Sequence, residues 1–161
     1  MKVEEYNKCV DLYSDRVYRF ILKNIKDEDK AKDIIQDTFE KLWINVDNVN
    51  FLKSKSYIFT TAYHTMIDLI RKEKRKADFE NVKTIDYSHN EQYSDLKEIL
   101  NEGIKKLNDI QRSVLLLRDY EGYSYKEIAG ITNLNEPQVK VYIYRARMFL
   151  KEYIGTLEKV I

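Results

Sequence analysis

Apolar residues recur every three to four positions through most of the chain. Between residues 3 and 24 they fall at Val3, Tyr6, Val10, Tyr13, Val17, Phe20 and Ile21, which is one face of a helix. The run Asp27-Glu28-Asp29 marks a helix start, because carboxylates favour the positive N-terminal end. The helix that follows carries Ile34, Ile35, Phe39, Leu42, Trp43 and Val46 on one face and Asp33, Gln36, Asp37 and Glu40 on the other, with Phe39 and Trp43 read as core. Asn45–Ser56 is polar and irregular. A third helix, about Tyr57–Lys76, holds Ile58, Phe59, Ala62, Met66, Ile67 and Ile70. Periodicity fades from Ala77 to about Tyr93, and returns over Leu96–Leu107, Asp109–Tyr120, Ser124–Ile131 and Glu136–Ile154.

This pattern predicts an all-α protein of two small helical domains joined by a polar linker, at 1–76, 77–95 and 96–161. Three or four helices precede the linker and four follow it. Four Gly and one Pro in 161 residues favour long helices over a many-stranded β fold. No apolar run approaches the roughly 18–20 residues needed to span a membrane, and the N-terminal stretch lacks the apolar core of a signal peptide. With Cys9 as the single cysteine, no intrachain disulfide can form, which agrees with a cytoplasmic location.

The net charge is only +1, so the chain is not a uniformly basic nucleic-acid binder. Lys and Arg number 16 against 13 acids over residues 1–76, 2 against 6 over 77–98, and 10 against 8 over 99–161. The basic charge is clustered at Arg71–Lys76 and again at Lys140, Arg145, Arg147 and Lys151, and such local patches attract phosphate.

Residues 124–147 read as helix, short turn, helix. Ile128, Ala129, Leu134, Val139 and Ile143 have helix-turn-helix core spacing. Asn133 occupies the turn, where Asn tolerates left-handed geometry. Asn135 is placed to cap the second helix, with Gln138 three residues on, and Pro137 falls in the first turn where its missing N–H is harmless. That helix would present its N-terminal turns to a DNA major groove while Lys140, Arg145 and Arg147 hold phosphates. A plain helical hairpin with a basic face has the same generic pattern.

Ile104–Leu150 resembles region 4 of the extracytoplasmic-function (ECF) sigma factors. The resemblance lies in Leu107–Arg112, in Val114–Arg118 followed by Tyr120–Ala129, and in Val139-Lys140 with Tyr144–Arg147. Asn108 stands where that family has Pro, and Asn133 where it has Gly. Asp29–Trp43 is similar to the region 2 helix of the same family, and Tyr57–Lys72 to its −10-element helix, preceded by the loop Lys53–Ser56. The resemblance implies a non-enzymatic factor that binds core RNA polymerase through Asp33, Gln36, Asp37 and Glu40. It implies −10 contacts from Lys53, Ser54, Lys55, Ser56, Tyr63, His64, Arg71, Lys72, Lys74 and Arg75. It implies −35 contacts from Ser124, Tyr125, Glu136, Gln138, Lys140, Val141, Tyr144, Arg145 and Arg147. Rings beside cations suit unpaired bases, which stack on aromatic faces while Lys and Arg hold the backbone. The expected partners are core RNA polymerase, promoter DNA and an anti-sigma protein, which in this family is often membrane-tethered; no cofactor or metal is expected.

Two rivals stand beside this reading: a conventional helix-turn-helix regulator that needs no polymerase, and a protein-binding adaptor. An enzyme fits poorly. There is no phosphate-binding GxxxxGK[ST], no GxGxxG and no nucleophile elbow, and His64, His89 and Cys9 are too dispersed for a metal site.

Overall fold

A computed structural model of the chain describes the backbone of residues 1–80 and 96–160, with side chains to 77 and from 96 to 156. These residues form seven α-helices: α1 (Val3–Ile25), α2 (Glu28–Ile44), α3 (Ser54–Glu80), α4 (Leu96–Lys106), α5 (Asp109–Leu115), α6 (Tyr125–Thr132) and α7 (Glu136–Val160). No strand occurs among them. The expected two helical domains are present, α1–α3 and α4–α7; residues 81–95 of the expected linker lie outside the described residues.

Local chemistry sets most of the helix ends. Asp27 caps α2, its side chain accepting from the Lys30 N–H at 3.1 Å. The irregular segment after α2 consists of two short 3-10 turns, Val46–Asn48 and Phe51–Lys53. α3 begins at Ser54, three residues before the expected start, because Asn50 and Ser54 organise the second turn through Leu52 N–H to Asn50 Oδ1 and Ser54 Oγ to the Phe51 carbonyl. It continues to Glu80, into the stretch read as linker, since Lys76, Ala77 and Glu80 are good helix formers with no Gly or Pro to stop them. α5 passes into a single π turn over Leu116–Tyr120, with Glu121 N–H donating to the Leu116 carbonyl at 3.2 Å.

In the N-terminal domain, α1, α2 and α3 pack around Val17, Ile21, Ala31, Leu42, Ile58 and Met66, all essentially buried. Trp43 departs from expectation: it is 48% exposed, its ring set T-shaped to that of Tyr6 with centroids 5.0 Å apart. Leu42 takes the core position of that turn, and one residue further along a helix lies about 100° round. Phe39 is buried as expected. The C-terminal core is built from Leu107, Val114–Leu117, Ile128, Val139, Ile143 and Ala146. At Gly103, where α4 crosses α7, an added Cβ would stand 2.8 Å from Leu150 Cδ2 and 2.9 Å from Tyr153 Cδ1, so the absence of a side chain permits the close approach. The two cores join through Phe59 of α3 and Tyr123, whose rings meet edge to face at 5.6 Å.

Candidate nucleic-acid and partner interfaces

On α2 the core residues leave one polar face outward. Asp33, Gln36 and Glu40 are exposed and Asp37 is half-buried, paired with Lys41 at 3.1 Å along the same helix. The four expected partner-binding side chains therefore share one accessible strip, in register at successive turns.

The residues assigned to the −10 element divide into three groups. Arg71, Lys72, Lys74 and Arg75 project from the C-terminal part of α3 and are exposed, as is Lys53. Ser54 is fully buried and its hydroxyl donates to the Phe51 carbonyl at 2.6 Å, so it shapes the turn that presents its neighbours. Lys55, Ser56 and Tyr63 face the C-terminal domain. The Lys55 ammonium donates to the Glu121 carbonyl at 3.2 Å and lies 4.6 Å from the centre of the Tyr123 ring. Burial, and after it the charge of Arg16, lowers its pKa. Ser56 adjoins the buried Tyr123 hydroxyl without the geometry of a hydrogen bond; burial, then Glu121, pushes that phenol well up. Tyr63 is 5% exposed, with the half-buried His64 ring edge-on at 5.5 Å.

In the C-terminal domain the turn chemistry is as the residues suggest. Asn133 is left-handed at φ 59°, and Asn135 and Gln138 cap each other: Gln138 N–H to Asn135 Oδ1 at 2.9 Å, Asn135 N–H to Gln138 Oε1 at 3.0 Å. α7 then presents Glu136, Gln138, Lys140, Val141, Tyr144 and Arg145 to solvent, with Tyr144 65% exposed. The remaining three assigned residues already have partners. Ser124 caps α6 in a reciprocal box with Glu127, a role that its spacing from a Glu three residues on could have signalled. Those hydrogen bonds from Ser124, first its backbone N–H, hold the Glu127 carboxyl below its ordinary range. The Tyr125 ring lies 4.4 Å from the Arg118 guanidinium and 5.6 Å from the Lys140 ammonium. Arg147 grips Asp119 with two hydrogen bonds, 2.6 Å from Nη2 and 3.3 Å from Nε. Asp119 was not among the residues singled out from sequence; it lies 28 residues away, beyond any local pattern.

No helix among the described residues is long and apolar enough to cross a membrane.

Comparison with known proteins adds to this geometry. The family profile Sigma-70 region 2 matches residues 9–76, and Sigma-70, region 4 matches residues 97–150. The ECF RNA polymerase sigma factor SigM of Bacillus subtilis is 31% identical over 150 residues, 90% of this chain and 92% of that protein. The RNA polymerase sigma factor SigV of the same organism is 29% identical over 146 residues, 89% of this chain and 87% of that one. Among solved structures, the sigma factor RpoE from Bartonella quintana, in complex with the anti-sigma factor NepR, matches at TM-score 0.81 and 25% identity over 95% of this chain and 98% of its own.

Proposed function

The chain belongs to the ECF sigma factors of the sigma-70 family, and from that premise we propose that it binds core RNA polymerase and directs it to specific promoters, with no catalysis of its own. The observation that carries this is the match of both sigma regions, in order, within one chain of two helical domains. A conventional helix-turn-helix regulator has no use for the first of them. The accessible α2 strip of Asp33, Gln36, Asp37 and Glu40 docks on polymerase. The basic end of α3, with Lys53 and the half-buried His64, receives the unpaired strand of the −10 element, the ring meeting a base and the cations holding phosphates, while Ser54 shapes the turn that presents Lys53. α7 enters the major groove of the −35 element, with Lys140 and Arg145 on its backbone and Val141 and Tyr144 toward base edges. We propose domain bounds at 1–76 and 96–161, a cytoplasmic location, and an anti-sigma partner that keeps the factor silent. The likeness to a sigma factor solved with an anti-sigma factor supports the last of these.

The test is transcription in vitro with core polymerase and genomic fragments of the host. The expected result is a set of discrete transcripts that appear only when this chain is added. If no fragment yields a transcript dependent on it, the proposal fails.

A further inference from the structure

We propose that Lys30 of α2, outside both the docking strip and the DNA-contacting set, is a positioning residue for −10 binding: it pairs with Glu73, the one acid within the run Arg71–Lys76, and so keeps the positive charge of that run available to phosphate. The inference rests on the −10 assignment proposed above.

The contact follows from how α2 and α3 lie together. Asp27 caps α2 by accepting the Lys30 N–H at 3.1 Å, which fixes the backbone of Lys30 in the first turn. α3 runs against α2 in the opposite direction: Lys41, near the end of α2, donates to Thr65 Oγ1 at 3.1 Å, whereas Lys30, near its start, reaches Glu73 further along α3. The Lys30 ammonium stands 2.5 Å from Glu73 Oε1 and 3.9 Å from Asp27 Oδ2. The hydrogen bond to Glu73, above all, holds that ammonium above its ordinary pKa range. Glu73 is half-buried, while Arg71, Lys72, Lys74, Arg75 and Lys76 around it are all exposed. The acid is engaged by α2, and the cations are left facing solvent.

A carboxylate among cations works against them. Each phosphate that a cation neutralises releases a counterion, and an uncompensated negative charge beside that cation cancels the gain. On its own helix Glu73 can meet the residues three and four positions away, which are Leu69, Ile70, Lys76 and Ala77. Without Lys30 it would therefore draw in Lys76, a cation of the run itself. From the C-terminal domain Asp109 already approaches Lys74 at 3.7 Å, so the run has little charge to lose. The pair matters less to the fold. Its side chains are 43% and 44% exposed, and pairs so open to water contribute little stability. What Lys30 supplies is the sign of the local field that a strand meets on approach.

The test uses holoenzyme reconstituted from core polymerase and the full chain. The probe is a fluorescein-labelled promoter fragment recovered from the transcription assay, with its −10 segment mismatched so that the strands stay apart. Anisotropy is followed across a range of salt. Lys30→Gln should weaken retention roughly five-fold at about 0.1 M salt, a loss that vanishes toward about 1 M, and should lower the salt slope by about 0.7. Lys30→Arg should bind as wild type does, and Glu73→Gln as well as wild type or more tightly. Combining Lys30→Gln with Glu73→Gln removes both charges together and should restore wild-type retention. Loss of a direct phosphate contact, or of the fold, would not be repaired in that way. Affinity for core polymerase should be the same in all of these variants. Wild-type retention by Lys30→Gln, a double variant as weak as Lys30→Gln alone, or a loss of core affinity would each overturn the proposal. Arg71→Gln distinguishes such a result from a failure of the −10 assignment: if it too binds as wild type does, the assignment falls and the proposal falls with it.

Discussion

Lys140 and Arg147 carry the same charge on the same helix, but their surroundings give them different duties. Lys140 is exposed, its ammonium 5.6 Å from the centre of the Tyr125 ring, whereas Arg147 ties α7 to the π turn through Asp119. Lys140→Ala should therefore weaken promoter binding and reduce its salt slope by about one, with the melting temperature unchanged. Arg147→Ala should also lower stability, by up to about 1 kcal/mol for a paired but partly exposed Arg; binding titrations and thermal melts of both variants separate these effects. Asp37→Arg should leave the melt near wild type, because its Lys41 pair is exposed, yet cut core-polymerase affinity by ten-fold or more where like charges meet at close range. Co-elution with polymerase reads this, and unchanged assembly would remove Asp37 from the docking strip. Val141 and Tyr144 offer apolar surface to the groove, which suits thymine methyl groups. Replacing thymine by uracil in the −35 duplex should then weaken holoenzyme binding. Residue chemistry was legible where it is local: the left-handed Asn133 and the Asn135–Gln138 box follow from what Asn and Gln can do. The Arg147–Asp119 grip was not, because its partners meet only after α5 and α7 have packed.

At the scale of helices, ends matter more than middles. The cap of α6 is the Ser124–Glu127 box, and Ser124→Ala should cost about 1 kcal/mol in chemical denaturation. Glu127 adds a pH signature. Its carboxyl is held below the ordinary range in the folded chain, so its contribution is complete above the ordinary carboxylate value, about 4.3. That contribution disappears as pH falls through the depressed folded value, because the unfolded chain then takes up the proton more readily. Glu127→Gln should flatten the acid limb of the stability profile; an unchanged limb would show that the box does not feel the proton. Periodicity located all seven helices, since apolar spacing reports directly on the face that must be buried. It misjudged their limits for two reasons. The far end of α3 is polar but still helix-prone, and the π turn at Leu116–Tyr120 shares the apolar residues of the helix before it.

For the whole molecule, the even charge balance and the few basic side chains on α7 predict weak duplex binding by the free chain, falling steeply with salt. Nanomolar retention of duplex at physiological salt, measured by anisotropy, would instead favour a self-sufficient regulator. Two domains and their order were readable, because each carries its own apolar faces. Their mutual placement was not: Phe59 reads only as part of the apolar face of its own helix, Tyr123 carries no packing signal of its own, and nothing in the spacing of Asn24 and Ser113 announces a hydrogen bond across 89 residues.

The docked domains are also two ends of one chain, joined covalently through residues 81–95. Tethering of this kind presents each domain to the other at an effective concentration on the order of millimolar. The ratio of closed to open molecules is that concentration divided by the dissociation constant of the joint, so even a joint of modest intrinsic affinity stays shut at any dilution. A single cut between residues 80 and 96 would abolish this advantage. Wherever the dissociation constant of the joint exceeds the protein concentration, the same contacts, unaltered atom for atom, would leave the two halves mostly apart.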